Sequence, residues 1–268
     1  MFQRLQRINL FHKYVTFLIG ICVVPLLILG ASSYQVSRQI LEQEAERYTR
    51  VLIQSQRAYL ELQLRQVEEL AFNLSGVQPI LDALDVPPDE VNPYTDLSTR
   101  AQVGYILDNY TSVQGLVSID LFSVSGTHYH VGDTLDTSSI RGEVQQRLFT
   151  AAQSSPGRTL WLGMEENVNV NSAYTQVVTA VRLLTRTDRS NLTLRPVGLL
   201  VINLTPELYK TYFDAIKPTE GSTFLLLDAY GRVIYHPNQA LVGTKLQTQF
   251  LQKLSAPYGN FVDEIDHQ

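Results

Sequence analysis

His128 and His130 flank Tyr129, so on an extended strand their imidazoles point to one face, with Asp133 close behind. Two imidazoles in alternation near a carboxylate can bind a transition metal. Two ligands and one loop acid form a small set, however. The sequence reads both histidines as solvent-facing side chains of a hairpin and assigns no metal site. Trp161, the single tryptophan, combines a large apolar surface with one N–H donor and suits either a core or a pocket wall. Tyr174 and Arg182 lie an even number of residues apart and would share a face if one strand carried both. Arg182 stands among Val178, Ala180 and Leu184, so it must hold an anion or reach solvent from an edge strand.

Catalytic patterns are missing. The chain has no Gly-x-Ser-x-Gly elbow, no phosphate loop ending in Gly-Lys-Thr and no His-Glu-x-x-His, so neither a catalytic set nor a cofactor is assigned. Cys22 is the only cysteine and lies within an apolar run, which excludes disulfide frameworks, zinc ribbons and thiol redox pairs. Of the 268 residues 44% are hydrophobic, and the formal charge is only -5, so the chain is built to pack a core. Without a recurring Lys/Arg block it is not expected to bind nucleic acid.

The charge is unevenly spread. Residues 1–34 carry Arg4, Arg7 and Lys13 and no acid, so all 26 acidic side chains come later. From Tyr14 to Tyr34 no residue is charged, and about 20 apolar residues suffice to cross a bilayer as a helix. The basic flank comes first, which places residues 1–13 in the cytoplasm, a transmembrane helix at 14–34 and the rest outside. The run is too long for the core of a cleaved signal peptide, and Pro25 is tolerated in a membrane helix.

The elements needed to position the candidate residues can be read in order. Gln35 to about residue 84 is expected to be one long helix, broken near Gly76 and Pro79, with a linker to residue 94. Its stripe through Ile40, Leu52, Tyr59 and Leu62 fits pairing with a second copy in a parallel homodimer. A helix over Thr95–Tyr110 precedes a hairpin of Leu116–Ser123 and Thr127–Val131. Next come a helix over Ser138–Ala152 and strands at Thr159–Gly163, Tyr174–Leu184 and Val197–Leu204, the last two joined by a turn around Asp188–Asn191. Thr205-Pro206-Glu207 starts a helix, with Thr as cap and Pro at the first position. A second unit holds strands at Phe224–Asp228, Arg232–His236 and Asn260–Ile265 and a helix at Thr244–Leu254, and is expected to be incomplete.

This order, with Val24–Gly30, Gly157–Gly163, Gly198–Leu204 and Leu227–Pro237, resembles the double Cache sensory domain of bacterial histidine kinases, chemoreceptors and diguanylate cyclases. The resemblance implies an α+β fold of two tandem PAS-like antiparallel-sheet modules. The membrane-distal module would span residues 95–213 and the membrane-proximal one 214–268, truncated. It also implies an extracytoplasmic small-molecule sensor in the bacterial inner membrane, relaying to an output domain outside this chain. That output could be a histidine kinase or diguanylate cyclase, while the chain itself is no enzyme. The alternative is a membrane-tethered solute-binding protein without output. In the family the pocket lies over the distal sheet, which implies a ligand set of Trp161, Tyr174, Arg182 and Asn203, with Tyr129 and Asp120 from the first hairpin. Amino-acid-binding members carry an acid where this chain has Asn203, and an amide cannot pair an ammonium as a carboxylate does. A small carboxylate is the ligand this implies.

Overall fold

The computed structural model describes residues 10–87, 93–188, 192–214 and 224–246. The elements are α1 (Leu10–Ser75), α2 (Gln78–Leu84), α3 (Pro93–Asp108), β1 (Leu116–Ser123), β2 (His128–Gly132), α4 (Gly142–Gln153), β3 (Thr159–Glu166), β4 (Gln176–Thr187), β5 (Leu194–Leu204), α5 (Glu207–Asp214), β6 (Leu226–Leu227) and β7 (Val233–Tyr235). They fall into two units, residues up to Leu64 and residues from Arg65.

The first unit is the body of α1. Among the described residues it is one helix long and apolar enough to cross a membrane. Phe17, Leu18, Ile21, Leu26, Leu27 and Leu29 are exposed along it, and Pro25 lies inside it. Beyond the apolar run, ion pairs one turn apart line the surface: Arg38–Glu42, Arg50–Glu46 and Arg57–Glu61. Each contributes only a few tenths of a kcal/mol. They mark a wetted face.

The second unit is built on a five-stranded antiparallel sheet in the order β2-β1-β5-β4-β3. Strand alternation gives it two unlike faces. Val181, Leu183, Leu199, Val201 and Phe122 pack against Val144, Leu148 and Ala152 of α4. The other face meets helices: α2 contacts β1, β4 and β5. Gly198 lies against Leu84 of α2, where a Cβ would also come within 2.6 Å of the Phe122 carbonyl, so that strand crossing requires glycine. Leu200, Ile202, Ile119 and Leu121 are fully buried, as are Leu74 of α1 and Ile80 of α2.

Several expectations are adjusted. The helix expected from Ser138 starts at Gly142, because Arg141 is extended and its guanidinium donates to the Asn167 carbonyl. Tyr174 precedes β4 rather than lying on it, in a loop whose Asn167, Asn169 and Ser172 side chains accept from nearby backbone amides. β4 pairs with both β3 and β5, so Arg182 is not on an edge. In the expected helix at Thr244–Leu254, Lys245 forms a bridge with Arg232, and residues from 247 lie outside the described residues, as does Asn260–Ile265. Residues 189–191 of the expected turn also lie outside them.

β6 and β7 dock on β3 through charge. Asp228 accepts from the backbone N–H of Met164 and from Arg232 Nε at 2.6 Å, and Arg232 also pairs with Glu165 at 2.9 Å. Glu165 in turn meets Arg147 of α4 at 2.8 Å. Burial opposes the Arg232 charge, but its hydrogen bonds to Glu165 and Asp228 prevail and raise its pKa.

Candidate functional site

Polar groups are buried together on the sheet face that packs against α4. Asp120 is fully buried, and Ser118, Thr179 and Asn203 are each about 1% exposed. Register explains why they meet: Asp120 stands opposite His130 on one side and Val201 on the other, and Asn203 opposite both Ser118 and Thr179. Thr179 donates to Asn203 Oδ1 at 2.9 Å, and Asn203 Nδ2 donates to Ser118 Oγ at 2.9 Å. Ser118 then donates to Asp120 Oδ2 at 2.7 Å.

The other carboxylate oxygen faces the histidines. Asp120 Oδ1 is 2.9 Å from His128 Nε2 and 2.6 Å from His130 Nδ1. His128 stacks on Phe122 at 4.3 Å, and His130 Nε2 donates to the Thr134 carbonyl at 2.9 Å. Burial works to raise the Asp120 pKa, but its contacts with both histidines outweigh burial and hold it at about 2. Burial likewise opposes charge on His130, yet the Asp120 partner raises its pKa overall.

Both histidines therefore point inward, with side chains 14% and 5% exposed, rather than to solvent as the sequence suggested. Their acid is Asp120. Asp133 instead accepts from Ser172 Oγ and the Ala173 N–H, tying the loop after β2 to the loop before β4. A cavity of about 150 Å³ adjoins the histidines, lined also by Arg100, Tyr129, Leu135 and Thr137, without a carboxylate.

The expected ligand set is divided between faces. Asp120 and Asn203 lie in the polar cluster. Trp161 lies on the helix-bearing face, where its Nε1 donates to Glu68 at 3.0 Å. Arg182 is on that face too, stacked 5.5 Å from the Phe72 ring centre, with Nη1 on Thr159 and Nε without a partner among the described residues. Burial lowers its pKa. Tyr129 sends its hydroxyl to the Ala83 carbonyl on the same face, with Arg100 5.7 Å from its ring centre, and it also borders the 150 Å³ cavity. Tyr174 lines a separate cavity of about 270 Å³ with Lys210, Glu207, Met164 and Tyr235. Sequence reasoning did not select Ser118, Thr179 or Arg100. A signal for the cluster was present, since a hairpin turning at Ser125-Gly126 places His130 opposite Asp120.

No family model matches the sequence, and no curated protein matches it. Solved structures do resemble it. The ligand-binding domain of Mlp24 with asparagine is 16% identical, covers 85% of this chain and 85% of its own, and superposes with a TM-score of 0.56. The ligand-binding domain of the Campylobacter jejuni chemoreceptor Tlp3 with 4-methylisoleucine gives 14%, 75%, 71% and 0.46. That of the Pseudomonas fluorescens chemoreceptor CtaA with L-serine gives 17%, 73%, 80% and 0.41. The Mlp24 likeness, spanning most of both chains, identifies the architecture: this chain has the fold of that ligand-binding domain.

Proposed function

We propose that the chain is the extracytoplasmic small-molecule-sensing region of a membrane signal transducer. The observation that carries this reading is the buried Ser118–Asp120–Asn203–Thr179 cluster. Apolar side chains would stabilise that part of the sheet at less cost, and a buried polar patch points to recognition rather than packing. The histidines that Asp120 holds line a neighbouring cavity together with Arg100, itself paired with Asp96 at 2.8 Å, and these cationic and N–H-bearing walls suit a small carboxylate. The Mlp24 domain, of like fold, holds asparagine. A thermal-shift screen of the detergent-solubilised chain with short carboxylates and L-amino acids tests it. A stabilising carboxylate whose effect is lost in Arg100→Ala is the expected result, and no hit in either set contradicts the reading.

The relay runs through α1, which carries the apolar run on the same helix as Glu68 and Phe72, the residues held by Trp161 and Arg182. With the basic flank inside, protease added to intact spheroplasts should digest residues after Tyr34 and spare an N-terminal tag. A product beginning near Ser32 would mean cleavage instead. A homodimer along α1 would bring exposed Ile40 and Tyr48 to their copies and leave Glu42 and Arg50 in surface ion pairs. Ile40→Cys or Tyr48→Cys should then crosslink several-fold more than Glu42→Cys or Arg50→Cys, whereas equal yields argue against pairing.

A further inference from the structure

We propose that Asp120, His128 and His130 form a binding site for one divalent transition-metal ion of the zinc class. Their ligand atoms all lie within 4.8 Å of one another. The hydrogen bonds around them leave a gap of defined charge. A carbonyl only accepts, so His130 Nε2 must carry the proton it gives to Thr134. Its Nδ1 then faces a carboxylate oxygen at 2.6 Å. Two lone pairs at that distance repel, so a positive particle, a second proton or a metal ion, belongs between them.

The surroundings favour the metal. A ligating histidine characteristically anchors its remote nitrogen on a carbonyl or carboxylate, as His130 does on Thr134, and ligating carboxylates are themselves hydrogen-bonded. Asp120 meets that condition, with Oδ2 held by Ser118 while Oδ1 stays turned to the imidazoles. The His128 ring is fixed by its stack on Phe122. Two imidazoles and one carboxylate suit zinc, cobalt, nickel or copper, whereas calcium and magnesium prefer all-oxygen sets. Tetrahedral metal–ligand bonds of about 2.0–2.2 Å place donors about 3.3–3.6 Å apart, so Oδ1 and the two imidazole nitrogens would part by about 0.4–1 Å from their present 2.9 and 2.6 Å. Three protein ligands leave a coordination position for water or an incoming anion, and the 150 Å³ cavity beside both histidines gives it room. The inference rests on these side chains and does not require that the cavity receive a carboxylate.

Cobalt titration of the chelator-stripped, detergent-solubilised full chain, with no organic ligand present, tests it. One cobalt per chain should bind, with visible absorption of the intensity that four-coordinate cobalt gives, and zinc should displace it. Affinity should fall by more than about a hundredfold in His128→Asn and in His130→Asn, and remain unchanged in His236→Asn. Circular dichroism establishes that each variant is folded. If His130→Asn unfolds, the more exposed His128→Asn decides alone. No cobalt bound by the wild type, or unaltered binding in a folded His128→Asn, would overturn the proposal and leave a proton-held Asp–His pair. Loss of carboxylate response with cobalt binding intact would count against the sensing reading alone.

Discussion

Asp120→Ala is expected to destabilise the second unit by about 3–5 kcal/mol, because removing one partner of a buried charged pair strands the other. Asp120 is completely buried and serves His128, His130 and Ser118 together. Two largely buried imidazoles would be left without their carboxylate partner. The thermal midpoint should fall on the order of 10 °C. Trp161, the single tryptophan, sits on β3 of the same sheet and reports unfolding by fluorescence. Asp133→Ala provides the contrast: its residue is exposed and its carboxylate accepts from Ser172 and Ala173 of a surface loop, so the loss should stay below about 1 kcal/mol. Equal losses in the two variants would mean that Asp120 is not the acid the histidines use.

Gly163→Ala should be nearly as damaging, for a steric reason. Gly163 lies at the bulge of β3 with φ +75°, where an L side chain is strained by about 1–2 kcal/mol. A Cβ there would come within 2.3 Å of the Asp228 side chain. Asp228 cannot step aside, because its carboxylate holds the N–H groups of Met164, Tyr230 and Arg232 and the Arg232 guanidinium. Overpacking adds about 1–3 kcal/mol. The contact to give way is the docking of β6 and β7 on β3, so limited proteolysis should open residues 224–246 before the five-stranded sheet. A variant in which that segment stays as resistant as in the wild type would show that the docking does not depend on Gly163.

Strand content was largely legible in the sequence. Leu116–Ser123 has the bounds read from its β-formers, and the three later strands differ at their ends, lengthened or shortened by a few residues. The Thr205 cap is observed, its hydroxyl accepting from the Glu207 N–H. What alternation could not supply was which face meets which helix. Period two groups Ala180 with Arg182 and Val181 with Leu183, but only packing turns the first pair to Phe72 and the second to α4. Trp161 and Arg182 were thereby expected beside Asn203, from which the sheet itself separates them. Arg182 was given two outlets, an anion or an edge strand, and the second is closed because β4 pairs on both sides, with β3 and β5. The acid of the histidine pair was misplaced because nearness in sequence favoured Asp133, while cross-strand register selects Asp120.

The sensing reading places the ligand at the basic cavity beside His128 and His130, not in the larger one near Tyr174 and Lys210. Calorimetric titration of the best carboxylate from the screen against the wild type, Arg100→Ala and Lys210→Ala separates the two. Affinity is expected to fall at least about tenfold in Arg100→Ala, equal to about 1.4 kcal/mol, and to stay unchanged in Lys210→Ala. Binding that survives Arg100→Ala and disappears in Lys210→Ala would contradict that placement.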